Sequence, residues 1–261
     1  MSSLSARAVV VSFAALCVVL PLTWGRAALV AHAEDGPTTT RTSPMSQLVA
    51  AWNALRAGDY ELDARDRALS SSDSVRCSQA DLVVYRGTHI RYQAAVQVHR
   101  AFVPRLARFE ERLVELATAT YGRAPRRLLH RGAYVCRTVR DHSSRLSEHA
   151  LGNAFDFSGL EFSPLPRRVA VPAGLPRASR RAFRVDVRNN WVARRQSDQI
   201  HSRFLHALAD ELALGHEIFR GIVGPPTHRH SDHLHLDMGP WAFAWYAYEG
   251  AQSSAGAAVV D

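Results

Sequence analysis

Two short stretches hold most of the residues able to do chemistry. SEHALGNAFDF, residues 147–157, sets His149 and Asp156 seven apart among small residues, with no helical or strand period to account for them. THRHSDHLHLDM, residues 227–238, packs four histidines and two aspartates into twelve positions. In HLHLDM a strand period of two puts His233, His235 and Asp237 on one face and turns Leu234 and Leu236 towards a core. In AFDFS the same alternation sets Asp156 opposite Phe155 and Phe157, while Gly152 allows a tight turn and Ala150 and Ala154 permit close packing. A catalytic zinc takes three nitrogen or oxygen ligands and keeps its fourth position for water. His149 and Asp156 supply two of these and His235 a third. The simpler alternative is a histidine-rich loop over 228–235 that picks up metal opportunistically, with His228 and His230 on its rim.

Placing these residues requires a scaffold, and the pattern of the chain predicts an α+β one: a small, mostly antiparallel sheet carrying the zinc site, flanked by helices. DLVVY at 81–85 reads as a strand. Apolar residues from Val96 to Ala117 recur at helical spacing over 91–121, with Pro104 as a kink and Gly122 as the stop. Strands are expected at 127–137, 155–160, 183–187, 217–223 and 233–238, interrupted by a helix over 199–214. Residues 48–69 read as an accessory helix of uncertain end, and Ser70–Ser72 break it.

The chain has 261 residues, of which 47% are hydrophobic, enough for one core with appendages. Residues 1–33 combine Arg7, an apolar run and a small-x-small AHA, and read as an export signal or an uncleaved N-terminal anchor. Residues 34–76 follow as linker and accessory segment, 77–245 as the principal domain, and 246–261 as a loose tail. Outside the first segment only Cys77 and Cys136 remain, either as one disulfide, which export favours, or as two thiols. Lys and Arg total 32 and every one is arginine, for a net charge of +8. Losing 1–33, with Arg7, Arg26 and no acid, lowers this by two to +6. That balance suits an anionic envelope polymer. Nucleic acid is not expected, since there is no helix-turn-helix, zinc-finger spacing or aromatic ladder. A membrane enters only through the possible anchor, and nothing specifies an oligomeric state.

SEHALGNAFD resembles the S-x-H-x-x-G-x-A-x-D motif of the zinc peptidases grouped as D-Ala-D-Ala metallopeptidases, lysostaphin-type enzymes and hedgehog-like domains, and HLH resembles their downstream H-x-H. The run AYVCR, RLSEHALGNAFDFSGL and FRGIVGPPTHRHSDHLHLDM is more closely similar to the bacterial extensin-like protein C-terminal family, over roughly residues 77–240. The resemblance implies that His149, Asp156 and His235 hold Zn2+, and that the substrate is the peptidoglycan stem peptide, cut by carboxypeptidase or endopeptidase action. Asp232 would take the proton of the zinc-activated water, with His233 its rival. Arg137 would steady the oxyanion, unless it is an ordinary surface arginine. Ser147 is expected to orient the turn or the substrate rather than attack, because no free base serves it. A loop over 161–180 closing the cleft would mark a carboxypeptidase. The family's further cysteines are replaced, with His216 and His99 at cysteine-like positions. The hedgehog-like relatives keep open a different reading, a zinc-containing wall-binding or structural module that cuts nothing.

Overall fold

Nine residues, AFDFSGLEF, form the longest strand among the described residues, with apolar side chains buried at both of its ends. The computed structural model describes residues 60–69, 75–77, 81–214, 217–227 and 229–248. The expected export segment, the residues before 60, Ser70–Ser72, His216, His228 and the end of the tail lie outside them.

The described chain opens with an antiparallel pair, β1 (Leu82–Tyr85) and β2 (Val96–His99). A 3-10 turn then leads into α1 (Val103–Tyr121). After β3 (Arg127–Gly132) comes a hairpin of β4 (Thr138–Val139) and β5 (His142–Leu146), then the central β6 (Ala154–Phe162). The rest is β7 (Phe183–Asp186), the single turn α2 (Val187–Asn190), α3 (Gln199–Leu214), β8 (Gly221–Val223), β9 (Leu234–Asp237) and β10 (Phe243–Trp245). Six strands make one sheet in the order β10-β8-β9-β6-β3, with β7 pairing the second half of β6. All pairings in it are antiparallel except β10 with β8. The architecture is α+β, as the sequence pattern predicts.

The helix expected over 91–121 begins later. Val96 and Val98 bury alternately in β2, and Pro104 falls in the first turn of α1 instead of kinking it. A first-turn N–H has no intrahelical acceptor, so proline costs nothing there. Leu106, Phe109, Leu113 and Ala117 then repeat at helical spacing and are fully buried, each large side chain contributing about 1.5–3 kcal/mol by leaving water. Gly122, at φ +66°, ends the helix with its N–H on the Thr118 carbonyl. Residues 60–69 also differ from expectation: they make a turn and an isolated bridge, Ala68 to Arg145, in place of the end of a helix.

Phe109 is the hub of the core, with ring centroids 5.7 Å from Phe157, 5.4 Å from Phe219 and 6.5 Å from Phe155. At the other end of α1, Tyr121 packs on Phe162 and on Phe204 of α3. Both helices therefore cover one face of the sheet and leave its other face to polar side chains. Cys77 and Cys136 are joined by a disulfide, with Cα atoms 5.7 Å apart. Among the described residues no helix is long and apolar enough to cross a membrane.

One charged side chain interrupts the apolar stripe of α1. Glu110 is fully buried and accepts from Tyr85 Oη at 2.7 Å and from the backbone N–H groups of Thr88 (2.8 Å), His89 (2.6 Å) and Ile90 (3.2 Å). Its carboxylate is the acceptor for the whole turn after β1. Glu110→Ala should lower stability by on the order of 3 kcal/mol, seen as a lower denaturation midpoint at unchanged slope. A loss below about 1 kcal/mol would mean that the turn finds other acceptors.

Candidate metal centre

On the polar face, β6 and β9 run antiparallel with Asp156 directly opposite His235. Their neighbours Phe155, Phe157, Leu234 and Leu236 are fully buried on the side covered by the helices. The third residue comes from the turn before β6. Ser147 caps a 3-10 turn over Glu148–Leu151, its Oγ accepting from the His149 N–H at 3.3 Å, and Gly152 ends the turn at φ +66°. A Cβ on Gly152 would stand 2.6 Å from the His99 nitrogen, so this turn packs directly on β2 and only glycine fits.

The three side chains converge. His149 Nε2 lies 3.3 Å from Asp156 Oδ1 and 3.1 Å from His235 Nδ1, and His235 Nδ1 lies 3.1 Å from Asp156 Oδ1. Ligands about 2.0–2.1 Å from a tetrahedral zinc stand about 3.3 Å from one another. The spacing and the donor set, two imidazoles and one carboxylate, thus fit zinc in a three-ligand site. Among the described residues this trio forms a group able to hold a metal ion.

Both imidazoles are held from behind. His149 Nδ1 contacts the Ala133 carbonyl, which turns Nε2 inward. His235 Nε2 donates to Asp237 Oδ2 at 2.9 Å, and Asp237 Oδ1 accepts from the Gly239 N–H at 2.7 Å. Gly221, across β8 and β9 from Asp237, makes room for that carboxylate: a Cβ there would stand 2.4 Å from Oδ2. Burial would push the Asp156 carboxyl up, but hydrogen bonds from His149 and His235 outweigh it and hold it well below the usual carboxylate range. Burial would push His235 down, yet its hydrogen bonds to Asp156 and Asp237 raise it to about 10. The carboxylates on either side of His235 favour positive charge at this position.

The turn itself is clamped by residues 60–69. Glu148 receives Arg67 Nε at 2.7 Å and Nη2 at 3.2 Å, together with Asn153 Nδ2 at 2.6 Å, and Tyr60 Oη reaches Asn153 Oδ1. Arg67 also donates to the Leu62 and Arg65 carbonyls. Asp63 pairs with buried Arg220 beside β8. Residues 60–69, within the stretch expected to be accessory, therefore support the candidate metal site.

Beside the trio, His233 Nε2 comes within 3.7 Å of Asp156 Oδ1, and its Nδ1 bonds to Asp232 Oδ1 at 2.8 Å. Asp232 Oδ2 accepts from Arg131 at 2.7 Å and Arg188 at 2.9 Å. Burial would raise the Asp232 carboxyl, and the bonds from His233 and Arg188 reverse that and lower it. Arg137 is half-buried and donates to the Thr138 carbonyl at 3.1 Å. Burial lowers its pKa, while the charge of Asp156 raises it. His230 stands at the mouth, its ring 5.1 Å from that of His233.

The sequence reading gave no role to Asp237, although the strand period places it on the face of His235. It missed Arg67, Glu148, Asn153, Arg131 and Arg188, whose pairings join distant segments. His99 lies on β2, not on the long helix, and its Nδ1 accepts from the Ala101 N–H. Residues 161–180 do not flank the metal centre. They leave β6 at Phe162, about 20 Å of strand beyond Asp156. There Arg180 ties the Pro166, Arg167 and Val169 carbonyls together, and Pro172 packs against Gly122.

The profile of the family described as extensin-like protein C-terminus matches residues 54–191, just over half of the chain. The chain belongs to that family. The match begins before the Tyr60–Leu69 clamp, takes in Arg137, Ser147, His149 and Asp156, and ends before Asp232, His233 and His235. No curated protein and no solved structure matches this extensin-like chain. The sheet register carries the family's segment into the rest of the site by pairing β6 with β9.

Asp237→Asn should weaken zinc binding by about 10–100-fold while the fold is kept, since the carboxylate acts only through His235. Competition with a chromophoric chelator measures it, and unchanged affinity would mean that Asp237 has no part in orienting the imidazole.

Proposed function

We propose that this extensin-like protein is an exported zinc-dependent peptidase acting on the stem peptides of peptidoglycan. The observation that carries the proposal is the triangle of His149 Nε2, Asp156 Oδ1 and His235 Nδ1 with sides of 3.1–3.3 Å, flanked by the Asp232–His233 pair. A structural zinc site closes its fourth position with protein, whereas three ligands beside a polar pair suit catalysis. When bound, zinc supplies Lewis acidity towards the scissile carbonyl and acidifies the attacking water to about pKa 7.

The chain's own groups divide the remaining work. His233 faces the centre with Nε2 and is oriented through Nδ1 by Asp232, so it accepts the proton of the attacking water and delivers it to the leaving amine. Asp232 is already shared by Arg131 and Arg188, which suits it to holding His233 rather than to taking the proton. Arg137, within the field of Asp156, offers N–H donors to the oxygen that gathers charge. Ser147 holds the His149 turn and is no nucleophile here. Export rests on the apolar N-terminal run, and peptidoglycan as partner on the family resemblance with the basic charge.

Elemental mass spectrometry of the purified protein should find about one zinc per chain, absent from His149→Ala, and the zinc form should release peptide fragments from purified peptidoglycan. Absence of zinc from the folded protein would remove the proposal. Zinc without hydrolysis would leave a wall-binding or structural module.

His233→Ala should reduce kcat by about 10²–10⁴-fold with the zinc content unchanged, and Asp232→Asn should reduce it less. The reverse order would give the proton transfer to Asp232.

A further inference from the structure

Beside the candidate metal centre stands a guanidinium with no acceptor among the described residues. Arg145 lies on β5, four residues before His149, and its Cζ sits 3.8 Å from the centre of the Trp241 ring. The side chain is half-buried, and Trp241 keeps 52% of its surface exposed. Burial lowers the Arg145 pKa, and the charges of Glu148 and Asp237 are close enough to raise it. Neither carboxylate bonds to it. Glu148 is taken by Arg67 and Asn153, and Asp237 by His235 and the Gly239 N–H.

Five arginines around it are engaged. Arg67 is bidentate on Glu148, Arg220 is paired with Asp63, Arg131 and Arg188 share Asp232, and Arg137 has the Thr138 carbonyl. Among the described residues, the Arg145 side chain alone in this group makes no hydrogen bond or ion pair within the protein. Stacking on an indole fixes the plane of a guanidinium and covers one face, but the N–H donors lie along its edge and stay available. Such a fork is ordered in advance and matches the two oxygens of a carboxylate.

We propose that Arg145, held flat on Trp241, binds a carboxylate of the ligand that enters the metal centre, selecting peptides that bear a free carboxylate. The site deepens the peptidase reading, on which it rests only in taking the ligand to be a peptide. The carboxylate belongs either to the C-terminus or to an acidic side chain, two sources with one chemistry.

Calorimetry on the zinc-loaded His233→Ala protein, expected to cleave peptides about 10²–10⁴-fold more slowly, separates these sources. Three probes serve: diacetyl-Lys-D-Ala-D-Ala, its C-terminal amide, and that amide with Glu in place of Lys. The first should bind about 10–100-fold tighter than the second if Arg145 reads a terminal carboxylate, and the third tighter than the second if it reads a side chain. Adding Arg145→Gln should abolish whichever preference exists, Arg145→Lys should keep part of it, and Trp241→Leu should weaken it. Since the Arg145 side chain has no hydrogen bond or ion pair to lose among the described residues, thermal unfolding of these variants should stay within a few degrees of the parent. Equal binding of all three probes, binding of none, or a preference that survives Arg145→Gln overturns the proposal. Carboxylate preference through Arg145 in a parent that cleaves no peptidoglycan would sink the peptidase reading and leave this one standing. Cleavage without any carboxylate preference would do the opposite.

Discussion

The pairing of Asp156 with His235 across β6 and β9 is the constraint on which the site depends. Strand alternation ties the position of both ligands to the burial of Phe155, Phe157, Leu234 and Leu236 on the opposite face. A slip of one residue would turn four large apolar side chains to water and both ligands into the core. The hydrophobic core thereby fixes the geometry of the candidate metal centre, and no separate device is needed to hold two of its three residues in register.

The third ligand has no such guarantee, and the polar architecture compensates for it. His149 sits on a four-residue 3-10 turn that would fray by itself. Ser147 caps the start, Gly152 closes the end against β2, and Glu148 is gripped by Arg67 and Asn153. Buried polar networks are stable only when every member is paired, since a lone charge in the interior carries a large desolvation penalty. Here Tyr60, Asn153, Glu148 and Arg67 satisfy one another. The disulfide from Cys77 to Cys136 anchors the residue before Arg137.

What could be read from the sequence was what local periodicity encodes. The alternation of AFDFS and HLHLDM places their strands and their two faces, and QIHSRFLHALADELAL gives α3 its bounds. Helical spacing in α1 was legible too, but the same rhythm ran on falsely into VQVH, where alternate valines serve a strand equally well. β5 was invisible because HSSRL is polar, and it exists through the β4 hairpin and its bridge to Ala68. Glu148 stands inside the recognised motif, yet its partner is 81 residues away, a pairing that no local pattern announces. The support of the site was hidden because it is made of long-range polar contacts, whereas its ligands were visible because they are short-range and chemically distinctive.

The arginine content takes a different meaning in the folded chain. Read as net charge, it points to an anionic partner. Folded, some of it serves the chain itself: Arg67 spans two carbonyls and a carboxylate, Arg180 gathers three carbonyls, Arg220 grips Asp63, and Arg123 lies 4.7 Å over the Phe183 ring. These are tasks for a planar fork, and an ammonium point charge could not span them. Such bonds leave the net charge as it is, since the paired acids are already counted in it and carbonyls carry no charge. What remains informative is position: a guanidinium whose donors the fold has already used is structure, and one ordered on an indole with its edge unspent is a means of recognition.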